Sequence, residues 1–374
     1  MPTGKLEPVV IYSSGSYFHK PGAEPVAVIG DMLSIAGPLL QFVTGGEHRP
    51  EQKNWVVPKA TEIYRSTGLP KLKSTNGEKY HPDFEVRMVN AIVFRRRVKA
   101  AIANNKLPKL SYADWAGEDH EIILEALQAA GITAEEMHGM PSPRALNTFS
   151  GLIFKYLKKF EDLVSEQVNS MLKRNSKTVI QFELPPEMAF ASVLSEKKTA
   201  RLLEIFERIV RKSPKGSRFA FHLCWGDLRG RPFVPKWLQR DSTKVNIMNA
   251  IVKMSVWKQG WKLAAIHDPC CDGKHPPKQQ TREYASYDKL AAFPPGVLYA
   301  LGILHDSLTV DEIVEVGKIL TRKGWKVGIR KFAVAAPCGD GRKAEAHVVR
   351  QYKKAQEVAA KLNAFMMSEY DLAA

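Results

Sequence analysis

Cysteine is scarce. The four present in 374 residues (Cys224, Cys270, Cys271 and Cys338) cannot make a disulfide framework, and such usage fits a chain kept reduced inside a cell. Long apolar runs are missing too. No stretch approaches the ~18 residues that cross a bilayer, so no membrane association is expected. The first thirty residues lack the basic start, apolar run and cleavage site of a secretory leader. A cytoplasmic protein is expected. Internal repeats and low-complexity tracts are absent. No zinc-finger, helix-turn-helix or ribonucleoprotein pattern appears, and the basic stretches are not interleaved with aromatics, which argues against nucleic-acid binding. No Gly-x-Gly-x-x-Gly follows an early strand, which argues against a dinucleotide cofactor. Acidic side chains are in deficit, 39 against 55 Lys and Arg, for a net charge of +16. Much of the excess lies between Arg211 and Lys262, where Asp227 and Asp241 are the sole acids. Such a field favours small anionic ligands.

What is present suits a globular enzyme, with 44% apolar and 25% charged residues. Short, nearly continuous apolar runs occur at 9–13, 40–44, 88–94, 178–183, 219–224, 263–267, 297–305 and 332–337, with a weaker one at 106–111. Continuous rather than alternating runs suit parallel strands buried on both faces. Helical spacing fills the gaps, over 121–130 (stopped by Gly131), 152–172, 196–212 and 310–323. In the last, Thr309 followed by Glu312 makes a capping-box pattern. Strand then helix, repeated about eight times, predicts an α/β chain folded as one (β/α)₈ barrel over 1–374. Residues 1–35 and 350–374 are expected to be peripheral, and an open doubly wound sheet is the second choice.

Barrel active sites sit at the C-terminal ends of the strands. Those ends carry chemistry here. His222-Leu223-Cys224 places an imidazole and a sulfur on the same side of a strand, since residues two apart share a face. Imidazole with thiolate is zinc chemistry, and Cys338, at the tip of the last strand, supplies a second sulfur. Three protein ligands with one open position describe a catalytic Zn²⁺ site. The same residues also read as small buried hydrophobes and a satisfied strand histidine. His267 and His305 end the next two strands and suit a fourth ligand, a general acid or a structural role. Asp227 suits orienting a histidine or capping a loop. Cys270 and Cys271 are adjacent, so their side chains diverge and at most one reaches a site. Trp225 and Tyr284 suit a pocket wall or the core.

The order Gly46-Glu47-His48-Arg49, Gln181-Phe182-Glu183-Leu184-Pro185, His222-Leu223-Cys224 and Pro337-Cys338-Gly339 resembles the zinc-bearing barrel of the cobalamin-independent methionine synthase superfamily. The matches run from about residue 40 to about 345. The resemblance implies a barrel of the uroporphyrinogen decarboxylase and methionine synthase type. It also implies zinc held by His222, Cys224 and Cys338, and alkyl transfer to a substrate thiol. By their position at strand tips, Glu47, Arg49, Glu183 and Arg342 are the candidates for substrate contact, a surface pair or solvated loop being the alternative, with His267, His305 and Asp227 the catalytic candidates. Departures are visible. The family has a glutamate ligand after the His-x-Cys cysteine, whereas no Glu occurs from 208 to 282, and Asn246 or Asn249 lies nearest. The family's Asp-Glu-Pro is Glu183-Leu184-Pro185, and the additional N-terminal barrel is missing.

The expected function is therefore zinc-dependent methyl or alkyl transfer to a small anionic thiol from an alkyl donor. The alternatives are thiol addition to an epoxide, as in epoxyalkane:coenzyme M transferase, and a metal-free reaction of the uroporphyrinogen decarboxylase kind.

Overall fold

The computed structural model describes residues 6–13, 24–44, 115–132, 134–149, 157–226, 232, 234–339 and 344–370. Eight strands form one sheet: β1 (Val10–Tyr12), β2 (Phe42–Thr44), β3 (Glu135–Pro141), β4 (Val179–Glu183), β5 (Arg218–His222), β6 (Lys262–Pro269), β7 (Leu298–Gly302) and β8 (Lys331–Ala335). Every pairing is parallel, and β8 pairs with β1 so that Val10 faces Ala333. A parallel bridge between Ile11 and Leu40, with Gln41 N donating to the Ile11 carbonyl at 3.0 Å, brings the β2 end back to β1. The sheet closes. The architecture is the single (β/α)₈ barrel expected from the alternation of runs.

Parallel strands need long crossovers, and helices supply most of them. Among the described residues these are α1 (Pro25–Ala36), α2 (Trp115–Ala130), α3 (Pro143–Phe149), α4 (Leu157–Arg174), α5 (Pro185–Ala191), α6 (Glu196–Lys212), α7 (Asp241–Val252), α8 (Val310–Lys326) and α9 (Glu345–Tyr370). Short 3₁₀ turns at Lys236–Leu238, Ser255–Gln259 and Thr281–Lys289 carry the chain across the loops after β5, α7 and β6. In α6 the buried side chains Leu202, Leu203, Ile205, Phe206, Ile209 and Val210 follow helical spacing, so one stripe faces the sheet. Thr309 Oγ1 accepts from Glu312 N while the Glu312 carboxylate accepts from Thr309 N at 2.7 Å, completing the predicted capping box of α8. Gly131, at φ +63°, ends α2 as anticipated.

The core has two layers. Outside the sheet, aliphatic and aromatic side chains pack against the helices. Inside, Tyr12, Phe42, Met137, Val179, Ala220, Ala265, Leu298, Ala300, Ala333 and Ala335 fill the barrel. The inner residues Ala300, Ala333 and Ala335 of β7 and β8 are small, and Ala300 stands in register beside His267 of β6. Room for a site is thus written into the C-terminal ends of the strands.

Two expectations differ from the structure. The third strand is Glu135–Pro141, a stretch without an apolar run. Its Glu136 and His138 face outward yet are buried, because Glu136 accepts from His120 at 2.8 Å, His138 at 2.5 Å, Asn175 at 2.6 Å and Thr178 at 2.8 Å. Satisfied polar groups behave as core here. The expected strands at 88–94 and 106–111 lie outside the described residues. The seventh strand stops at Gly302, three residues before His305. The stretch 1–35 contains β1 and most of α1, and 350–370 continues α9, which packs on α1, α8, β1 and β8. No helix among the described residues is long and apolar enough to cross a membrane.

Candidate metal centre

Alternation along β5 sends Phe219 and Phe221 outward and Ala220 and His222 inward. Beyond the strand, Leu223 N donates to the His267 carbonyl at 3.0 Å, which keeps the chain extended. Cys224 therefore falls on the same side as His222. Gly226, at φ +81°, then turns the chain away. Cys338 reaches the same point from the end of β8. One imidazole nitrogen of His222 and the sulfurs of Cys224 and Cys338 lie within 4.8 Å of one another. His222 and Cys224 are buried and Cys338 is partly exposed.

The electrostatics of the cluster favour a cation. The Cys224 thiol is pushed well up by its hydrogen bond with Cys338, by burial, and by the charges that Cys338 and Glu183 would carry. The Glu183 carboxyl is also pushed well up, by burial and by Cys338. Cys224 and Glu183 are thus held protonated beside a second thiol for want of positive charge. His222 Nε2 is buried and has no hydrogen-bond partner, and Glu183 Oε2 lies 3.6 Å from it. An orphaned imidazole lone pair beside two thiols fits a tetrahedral divalent cation of the zinc type.

A polar chain supports the cluster from inside the barrel. Tyr12 OH donates to Gln181 Oε1, and Gln181 Nε2 donates to Glu183 Oε1 at 2.6 Å. Gln181 and Glu183 share the inner face of β4, two residues apart. His267 stands in register with His222, its Nδ1 2.6 Å from His222 Nδ1, the two rings within 20° of parallel. The Tyr12 ring lies 5.2 Å from the His267 ring. Burial holds His267 down at about 3, and burial with the neighbouring His267 lowers His222. Both rings are neutral at physiological pH.

On the outer face of β6, Asp268 anchors the strand. Its carboxylate takes Lys244 Nζ at 2.9 Å and the hydroxyls of Tyr287 and Tyr299 at 2.7 Å each. Lys244 Nζ also donates to the Pro269 carbonyl at 3.0 Å. Cys270 Sγ lies in this cluster, 3.8 Å from Tyr287 OH, whereas Cys271 Sγ lies 3.2 Å from the Gly302 carbonyl. The adjacent cysteines diverge, and neither belongs to the His-Cys-Cys group. Asn249 is committed elsewhere, donating to the Lys289 carbonyl and accepting from Ala291 N. His305 is partly exposed with Nδ1 2.8 Å from Ser307 Oγ, and it is not among the clustered ligands. Trp225 and Tyr284 are buried, Tyr284 OH donating to the Lys278 carbonyl. Glu47, Arg49, Asp227 and Arg342 lie outside the described residues. Reasoning from sequence did not single out Tyr12, Lys244 or Asp268. Tyr12 could have been found as the inward residue ending the first strand, whereas nothing local marks Lys244 as the partner of Asp268.

No family model matches the chain, and no curated protein matches its sequence. Among solved structures, the chain is similar to a B12-independent methionine synthase from Shewanella sp. W3-18-1 in complex with selenomethionine. The TM-score is 0.51 and the identity 12%, covering 97% of this chain and 100% of that one. A methyltransferase from Methanosarcina mazei is matched at a TM-score of 0.40 and 11% identity, over 96% of this chain and 95% of that one. The likeness to the Shewanella protein is one of barrel fold.

Proposed function

We propose that the protein is a zinc-dependent transferase that moves a methyl or other alkyl group onto a small anionic thiol. The observation that carries this reading is the convergence of His222, Cys224 and Cys338, from two strand ends far apart in sequence, on one point at the barrel mouth. A structural zinc would be closed by a fourth cysteine or histidine. Among the described residues no fourth cysteine or histidine joins the group, and the Glu183 carboxylate lies 3.6 Å from His222 Nε2. The likeness of the barrel to a B12-independent methionine synthase supports the same chemistry.

Zinc held by the three residues would supply Lewis acidity that lets a thiol lose its proton near neutral pH. The chain's own groups do the rest. Beside a bound cation Glu183 would be ionised, and its Oε2, the oxygen not engaged by Gln181, accepts the proton from the thiol. The sulfur then forms its bond to carbon as the bond from carbon to the leaving group breaks. His305, partly exposed at the tip beyond β7, returns a proton to the leaving group, whereas His267 is enclosed between Tyr12 and His222. The anionic end of the thiol is assigned to basic side chains on the loops at the strand ends. These are Lys236 and Arg240 after β5 and Lys274 after β6, with Arg49 and Arg342 as sequence candidates.

The test is metal analysis of purified protein. Wild type should carry about one zinc per chain, and Cys224→Ser and Cys338→Ser should each lose it along with thiol alkylation. Wild type that is free of zinc and keeps its activity under a strong chelator would remove the proposal.

A further inference from the structure

Glu183 and His222 stand in register on the neighbouring strands β4 and β5, and both lie on the inner face of the barrel. His222 Nδ1 is taken by His267 Nδ1 at 2.6 Å, which leaves Nε2 as the nitrogen available to a cation. Glu183 Oε2 is 3.6 Å from that Nε2, too far for a hydrogen bond. Zinc holds an imidazole nitrogen or a carboxylate oxygen at about 2.0–2.2 Å, so two such ligands at a tetrahedral angle stand about 3.4 Å apart. The pair is spaced as two ligands of one ion rather than as donor and acceptor. The carboxylate is also held in place. Gln181 Nε2 donates to Glu183 Oε1 at 2.6 Å, and Tyr12 OH donates to Gln181 Oε1. The hydroxyl fixes which way the amide faces, the amide takes one carboxylate oxygen, and Oε2 is left toward His222. Other acids nearby are committed elsewhere, Asp268 to Lys244 and two tyrosine hydroxyls, and Asp241 to Lys244 and Lys278.

We infer that Glu183 Oε2 is the fourth ligand of the cation held by His222, Cys224 and Cys338, presented to it by the hydrogen-bonded chain from Tyr12 through Gln181. The inference rests on the zinc reading above and deepens it. Three strand ends, those of β4, β5 and β8, then supply the donors. The carboxylate is the hard member of a set that holds two soft thiolates, so it is the ligand that an incoming thiol replaces. Sulfur takes the place that Oε2 leaves, and the thiol proton passes to the freed oxygen. Tyr12 and Gln181 act through Glu183 and are positioning residues. Outer partners of this kind are worth about 10- to 100-fold in metal affinity.

The experiment is a competition between the protein and a chromogenic chelator for Zn²⁺, run on wild type, Glu183→Gln and Tyr12→Phe. Glu183→Gln keeps the shape but removes the anionic ligand, so affinity should fall by about 100-fold or more, beyond what most outer partners contribute. Tyr12→Phe removes one hydroxyl and leaves every ligand in place, and affinity should fall about 10-fold. Thermal unfolding of the metal-free proteins controls for loss of the fold. A crystal structure of zinc-loaded wild type, grown without thiol, needs no variant, and in it Oε2 should lie about 2.0–2.2 Å from the ion. If Glu183→Gln binds Zn²⁺ as tightly as wild type, or a water or another residue holds the fourth place, the inference is overturned while the zinc site stands. If Tyr12→Phe alone binds like wild type, the presenting role of Tyr12 is overturned. If wild type itself binds no Zn²⁺, the functional proposal fails and takes the fourth ligand with it.

Discussion

His222 and Cys224 could be found from sequence because a strand has a period of two, and the reading needs only their spacing and a strand that ends nearby. Lys244 could not. It is a lysine in the first turn of α7, and nothing local distinguishes it from a solvated one. In the fold it is buried against Asp268, and the Asp268, Cys270 and Asp241 side chains overcome the cost of burial to hold its ammonium charged. Asp268 follows His267 on β6, so the pair fixes the strand that carries the histidine. Lys244→Met should therefore cost about 3–5 kcal/mol, since it leaves a buried carboxylate without its counter-charge. Urea unfolding near neutral pH measures it. A loss below about 1 kcal/mol would mean that the two tyrosine hydroxyls alone suffice for Asp268.

Elements were legible where one physical signal dominated. The helix at 196–212 was read with the boundaries that the structure shows, because its apolar stripe is regular and its exposed face strongly charged. The start of α8 was equally clear, since a capping box is a local chemical pattern that tertiary contacts seldom alter. Thr309→Ala should cost about 1 kcal/mol by removing the acceptor for Glu312 N, and thermal unfolding should register it. If that substitution is silent, the helix start is held by packing of Ile313 and Val314 rather than by the cap. β3 was missed for the opposite reason. Its outward positions are Glu136 and His138, whose partners come from α2, from the strand itself and from the turn before β4. An apolar-run criterion cannot anticipate a polar residue whose burial depends on partners so far away. The same limit applies to the candidate metal site. Its three clustered residues could be proposed together from position only by assuming barrel closure, because no local spacing relates Cys338 to Cys224.

At the scale of the whole molecule, two buried carboxyls pull stability in opposite directions with pH. Burial pushes Glu136 up, but hydrogen bonds from His138, Thr178 and His120 outweigh it and hold the group at about 2. Its folded pKa is below the unfolded one of about 4.3, so its contribution is present above that value and fades as pH falls toward 2. Glu187 on α5 behaves in reverse. It is fully buried, its two carboxylate oxygens have no hydrogen-bond partner of good geometry, and Arg144 Nε is no nearer than 3.8 Å. Burial raises its carboxyl to about 7 against the opposing pull of its own backbone, Arg144 and Ser142. A carboxyl with a raised folded pKa favours the fold while protonated. That preference is complete below about 4.3, shrinks as pH rises, and is gone above 7. Ionisation of Glu187 should thus cost the native state up to about 3 kcal/mol at pH 8. Glu187→Gln keeps the shape and removes the ionisation. The variant should be more stable than wild type at pH 8, by about 1–3 kcal/mol, and indistinguishable from it near pH 4.5. Urea unfolding at the two pH values reads the difference directly. A variant less stable than wild type at pH 8 would show instead that Glu187 serves the fold as an anion paired with Arg144, and the direction assigned to its pKa would have to be reversed.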